Sequence, residues 1–154
     1  MAGLFFDTSA LAKRYHSELG SAFVGELVLR PDANVVISRL TLVEIQSVFA
    51  RKVRTGVIEA ADVIRLQRRF LEDLANEVFR VIELTRAHYA GAGELIQRYS
   101  IGLGLRTLDS LQLAVALSLH RRGAAESLVA SDKILAKVAG VEGMPVIDPE
   151  SPPR

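Results

Sequence analysis

The chain has 154 residues, 49% of them hydrophobic and 24% charged, with a formal net charge of +1. That length fits one domain, the composition excludes a disordered chain, and the balanced charge excludes a broad basic surface. With no cysteine there are no disulfides, cysteine nucleophiles or cysteine-based zinc sites; His16, His88 and His120 share no metal-binding spacing, so any metal would be held by oxygens.

The run Gly3-Leu4-Phe5-Phe6 reads as a strand buried on both faces, followed by Asp7-Thr8-Ser9 and a helix over Ser9 to Tyr15. Asp7 thus stands at a strand's carboxyl end, the edge where ligands bind in open α/β sheets, unless it or Thr8 merely caps the helix. A second helix is expected over Gly20 to Leu29, a turn over Arg30 to Asn34, and a buried strand at Val35-Val36-Ile37. Leu42, Ile45, Val48 and Phe49 recur at helical spacing, and Gly56 ends that helix.

The next helix covers Ala60 to Asn76, with Val63, Leu66, Phe70 and Leu74 on one face. Val78 to Ile82 is a third strand, placed near the sheet edge by Arg80. Thr85 to Tyr99 is helical, Gly102 and Gly104 form a loop, and an apolar helix then runs from about Arg106 to Arg122. Ser127 to Ala130 is a fourth strand, Ser131-Asp132-Lys133 opens a helix to about Ala139, and Met144 to Ile147 is a last strand. Strands alternating with helices predict an α/β fold, a parallel sheet of about five strands between helical layers. A single domain over 1–148 is expected, with a flexible Pro-rich tail over 149–154. The chain has neither an apolar run of about 20 residues nor a signal-type N-terminus, so the expected location is cytoplasmic, without a membrane.

Four acids open four helices on this scaffold: Asp7, Glu44, Asp109 and Asp132. Each has a structural explanation, since Thr41-Leu42-Val43-Glu44 matches a capping box and Ser131 or Asp132 suits an N-cap. Their shared edge, with the hydroxyls Ser9 and Ser131 beside two of them, points instead to a carboxylate cluster. Crowded carboxylates repel unless neutralised, and an oxygen-lined site suits Mg²⁺ or Mn²⁺. Such an ion activates water toward a phosphodiester without a protein nucleophile.

Phe6-Asp7-Thr8-Ser9-Ala10-Leu11, Leu42-Val43-Glu44-Ile45, Leu108-Asp109-Ser110-Leu111-Gln112-Leu113-Ala114 and Val129-Ala130-Ser131-Asp132-Lys133-Ile134-Leu135 resemble, in order, the four acidic motifs of the PIN-domain nucleases, and among them the VapC-like toxin ribonucleases. Ser131 stands where threonine is more usual. The resemblance implies a three-layer α/β/α sandwich, Mg²⁺- or Mn²⁺-dependent cleavage of RNA leaving a 5′-phosphate and a 3′-hydroxyl, a homodimer, and inhibition by a small antitoxin. It makes Asp7 and Asp109 the direct metal ligands. Glu44 and Asp132 would bind a second ion, hold its waters or orient the attacking water, and Ser9 and Ser131 would fix carboxylate geometry.

Lys13, Arg14, Arg51 and Arg106 are candidates for backbone-phosphate contacts, and Tyr15 and Tyr99 for stacking on bases. The face bearing Leu66, Phe70 and Leu74 is either core or a groove for a partner helix. Two other classes stay open. A haloacid-dehalogenase-type phosphatase also places an Asp after its first strand, but with a second acid where Ser9 stands. A non-catalytic RNA- or partner-binding domain would keep basic clusters such as Lys13-Arg14 and Arg51-Lys52 with Arg54 and lose the acids.

Overall fold

The computed structural model describes residues 3–153; residues 1–2 of the expected domain and residue 154 of the expected tail lie outside the described residues. Within the described residues five strands, β1 (Gly3–Phe6), β2 (Val35–Ser38), β3 (Phe79–Ile82), β4 (Ala125–Val129) and β5 (Val146–Ile147), form one sheet in the order β3-β2-β1-β4-β5. Every pairing is parallel. Among the described residues seven helices connect them: α1 (Thr8–Ala12), α2 (Ser21–Leu29), α3 (Thr41–Arg54), α4 (Ala60–Ala75), α5 (Arg86–Leu103), α6 (Thr107–Arg121) and α7 (Lys133–Val141).

Alternation along the strands divides the interior in two. Phe5, Val36 and Leu128 pack with α5, α6 and α7, whereas Phe6, Val35, Ile37 and Val129 pack with α1 to α4. The sheet is therefore covered on both faces, which is why β1 reads as a continuous apolar run. A register shift opposite Gly3 and Leu4 gives β4 one extra residue. β1 lies between β2 and β4, and this crowding requires a glycine at its start. A Cβ on Gly3 would stand 2.6 Å from Val36 Cγ2.

Element boundaries depart from the sequence reading where side chains decide them. α1 stops at Ala12, and Lys13 to Tyr15 turn inward: Lys13 pairs with Glu150 at 2.7 Å, while Arg14 and Tyr15 bind Asp73 of α4. α5 continues through Gly102 and ends only at Gly104, whose positive φ of 73° a glycine accepts without cost. β3 is the sheet edge, as Arg80 implies. Leu66 and Phe70 are almost fully buried, with Tyr15 edge-on to the Phe70 ring at 5.7 Å, so that face of α4 is core. Near the chain end Pro149 is buried and its carbonyl lies against Gly20. Among the described residues no helix is long and apolar enough to cross a membrane.

Candidate active site

Parallel strands aim their carboxyl ends at one edge, and the acids arrive there by local rules. Asp7 follows β1 directly, where its backbone N–H bonds Val129 O at 3.0 Å and its Oδ2 accepts from Ser9 N at 3.3 Å as the N-cap of α1. Asp132 similarly caps α7, accepting from Leu135 N at 2.8 Å. Glu44 and Asp109 lie in the first turns of α3 and α6. The capping-box reading of Thr41 and Glu44 fails, because α3 has no side-chain cap and Glu44 bonds to Gln112 of α6 instead.

A cleft of about 450 Å³ opens at this edge, lined by Asp7, Ser9, Glu44 and Asp109 together with Ser47, Arg51, Arg54 and Arg106. Asp132 does not line it; Arg106 connects the two, donating from Nε to Asp109 Oδ2 at 3.1 Å and standing 3.9 Å from Asp132 Oδ2. Another cavity, about 370 Å³ between α5 and α6, contains Glu94 as its only acid.

Electrostatics separate these carboxylates from ordinary surface acids. Burial, then the charges of Glu44 and Asp109, push the Asp7 pKa up to about 7 against the pull of the Ser9 and Thr8 N–H groups. Burial also raises Glu44, opposed by the hydrogen bond from Gln112, and raises Asp109, opposed by Arg106. A site that forces carboxylates toward neutrality in the absence of a cation is one in which a cation relieves repulsion. The donors are oxygens only, which fits a hard divalent ion. Among the described residues no three acids stand close enough to hold one ion together. A Mg²⁺ ion held by one or two carboxylates, with water completing its shell, needs no such trio.

Of the sequence candidates, the edge gathers Asp7, Glu44, Asp109, Ser9, Arg51 and Arg106, with Asp132 at its margin. Among the described residues the buried Ser131 Oγ has no hydrogen-bond partner, so it is not seen to hold a carboxylate as expected. Lys13, 5% exposed, is committed to Glu150 and Glu18, and Arg14 to Asp73, so neither side chain is offered to a phosphate at the cleft. Tyr15 bonds Asp73 and Tyr99 bonds Glu142, each at hydroxyl distances of 2.6–2.7 Å, and neither ring lines the cleft.

Two residues carry more than the sequence reading gave them. Gln112 is the lone polar side chain within the apolar run from Leu111 to Leu117, three residues after Asp109 and so on the same helix face. Arg54 completes the series Glu44, Ser47, Arg51, Arg54, whose helical spacing puts all four on the cleft side of α3.

A parallel sheet covered on both faces, with carboxylates at its carboxyl edge, places the chain among the α/β proteins that bind their ligands at that edge. The family model of the PIN domain matches residues 4–141, and the chain belongs to that family. No curated protein matches it. Among solved structures, a toxin–antitoxin complex from Klebsiella pneumoniae is similar at 23% identity and a TM-score of 0.61, covering 96% of this chain and 98% of the other. A Pyrobaculum aerophilum protein known from its crystal structure is similar at 18% identity and a TM-score of 0.58, covering 94% and 83%. At these identities the likenesses establish the fold.

Proposed function

We propose that this protein is a Mg²⁺- or Mn²⁺-dependent endoribonuclease, formed by a single domain over 1–148, that acts as the toxin of a toxin–antitoxin pair. PIN domains are generally nucleases, which gives the reaction class. The observation that carries the reading to this chain is the cleft itself, in which Asp7, Glu44 and Asp109 share one space with Arg51, Arg54 and Arg106. An acidic floor under a basic rim suits a polyanion cut by a cation-dependent hydrolase.

Asp7 and Asp109 would hold the ion, which when bound supplies Lewis acidity and lowers the pKa of a water. Glu44 and Asp132 would bind a second ion, hold its waters or orient the attacking water, and the backbone N–H of Ser9 holds the Asp7 carboxylate. Arg51 and Arg106 meet backbone phosphates and leave sequence unread. The similarity to the Klebsiella toxin–antitoxin complex supports a protein antitoxin as partner, and the homodimer and cytoplasmic location belong to the same reading. The phosphatase alternative lacks its second acid, since Ser9 lines the cleft at that position.

The test is cleavage of end-labelled total RNA by the purified protein, freed of partners, with Mg²⁺ or Mn²⁺. Wild type should cut at discrete sites and lose activity with EDTA, while folded Asp7→Asn and Asp109→Asn should not cut. Wild type that binds RNA but stays inert with every metal would make this a binding module. Activity confined to phosphomonoesters would make it a phosphatase.

A further inference from the structure

Behind the acids lies a polar hub in an otherwise apolar interior. The side-chain amide of Gln112, 1% exposed, donates to Glu44 Oε1 at 2.7 Å, Thr8 Oγ1 at 3.1 Å and Thr41 Oγ1 at 3.2 Å. Its Oε1 accepts from Ser38 Oγ at 2.7 Å, and the Thr8 and Thr41 hydroxyls stand 3.3 Å apart. Ser38, Thr8 and Thr41 are themselves buried. One amide thus joins the end of β2 and the starts of α1 and α3 to α6, the helix that carries Asp109.

The orientation of this amide is determined by its neighbours. Turned over, it would present its carbonyl oxygen to the Glu44 carboxylate, an acceptor against an acceptor, and its NH₂ to Ser38. Only the observed orientation satisfies both ends. A buried polar group is costly unless paired, and Leu or Met would fill the position in a helix needed only for packing.

We infer that Gln112 is the positioning residue of the site: it holds the Glu44 carboxylate toward the cleft and fixes the start of α3 against α6, so that Glu44 and Asp109 keep a set separation. The inference rests on the nuclease reading for the meaning of Glu44. Its partners and distances do not depend on that reading.

The test compares wild type, Gln112→Met, Glu44→Gln and the double variant, by calorimetric titration with Mn²⁺ alone and by RNA cleavage. Gln112→Met keeps the volume and removes every polar contact. It should fold with wild-type circular dichroism and weaken Mn²⁺ affinity and cleavage by about 10- to 100-fold, the usual effect of losing a residue that orients a metal ligand. In the Glu44→Gln background the same change should add little, because the group it positions is gone. An equal loss in both backgrounds would assign Gln112 to packing and overturn the inference, as would wild-type behaviour of Gln112→Met. Should Gln112→Met fail to fold, Ser38→Ala leaves the amide in place and frees only its oxygen. A smaller loss that again vanishes with Glu44→Gln supports the inference, and no loss overturns it. Wild type that binds Mn²⁺ but cuts no RNA refutes the nuclease reading, while the Mn²⁺ affinities of the four proteins still decide the role of Gln112.

Discussion

Arg14 grips Asp73 with two parallel hydrogen bonds, Nε to Oδ2 at 2.7 Å and Nη2 to Oδ1 at 2.9 Å, and so fastens the turn after α1 to α4. Tyr15 donates to the same Oδ2 at 2.7 Å, and Arg69 lies 5.9 Å above the Tyr15 ring. Burial alone would raise Asp73, but the hydrogen bonds from Arg14 and Tyr15 outweigh it and hold the carboxyl below its ordinary range. Asp73→Ala strands a guanidinium and a phenol that are mostly buried. It should destabilise the fold by about 2–3 kcal/mol in urea unfolding, well above the cost of losing an exposed ion pair. A loss under about 0.5 kcal/mol would show that the pair is merely a surface contact.

The elevated Asp7 makes stability fall as pH rises. Its ordinary value is 3.8 and its folded value about 7, so between these the native state binds the proton more tightly than the unfolded chain. The contribution is fully present below pH 3.8 and is lost as pH passes about 7, with a ceiling of about 4 kcal/mol. Glu44 and Asp109, also raised, act in the same direction. Asp7→Asn stays neutral and can keep the bond from Ser9 N. With chelator present it should unfold at higher urea than wild type at pH 8, and the difference should shrink by pH 5. A variant equal to wild type at both values would mean that the cleft does not strain this acid.

Two glycine substitutions should move stability in opposite directions. At Gly3 a Cβ meets Val36 Cγ2 at 2.6 Å and the carbonyl oxygens of Ala124 and Asn34 at 3.1 Å, and these oxygens are already engaged by the N–H groups of Gly3 and Leu4. Gly3→Ala should cost about 1–3 kcal/mol through overpacking. At Gly25, within α2, an added Cβ would have no neighbour within 4 Å, so Gly25→Ala should stabilise by up to about 1 kcal/mol. Thermal melts of the two variants check the contrast.

The elements with strong periodicity, and the acids at their starts, were legible because apolar runs and helical spacing are local properties. Asp7 and Asp109 could be placed by position alone, since a residue after a central parallel strand or opening a helix has one edge to occupy. What stayed hidden depended on partners distant in sequence. Glu44 fits a capping box on paper, and only Gln112, 68 residues away, shows that its side chain is engaged elsewhere. Lys13 and Arg14 look like a surface cluster until Glu150 and Asp73 arrive from 137 and 59 residues away. Tyr15 and Tyr99 were ambiguous for the same reason, since a ring that stacks on a base and a ring that packs in a core have the same local sequence.

Those distant partners also decide which cations stay available at the cleft. Arg51 and Arg54 are exposed at the cleft and carry no ion pair among the described residues, whereas Lys13 and Arg14 are committed inward. A phosphate contact from a free guanidinium releases counterions, and the salt dependence of binding counts such contacts at about 0.7 per phosphate for a single strand. Arg51→Ala and Arg54→Ala should each weaken binding of a single-stranded RNA to a similar degree whatever its sequence, and flatten the slope of log affinity against log salt by up to about 1. Arg14→Ala should leave that slope unchanged and lower thermal stability instead. Fluorescence anisotropy over a salt series, with Ca²⁺ in place of Mg²⁺ to limit cleavage, separates the two behaviours. A flattened slope for Arg14→Ala with none for Arg51→Ala would move the RNA path away from the cleft and toward the turn after α1.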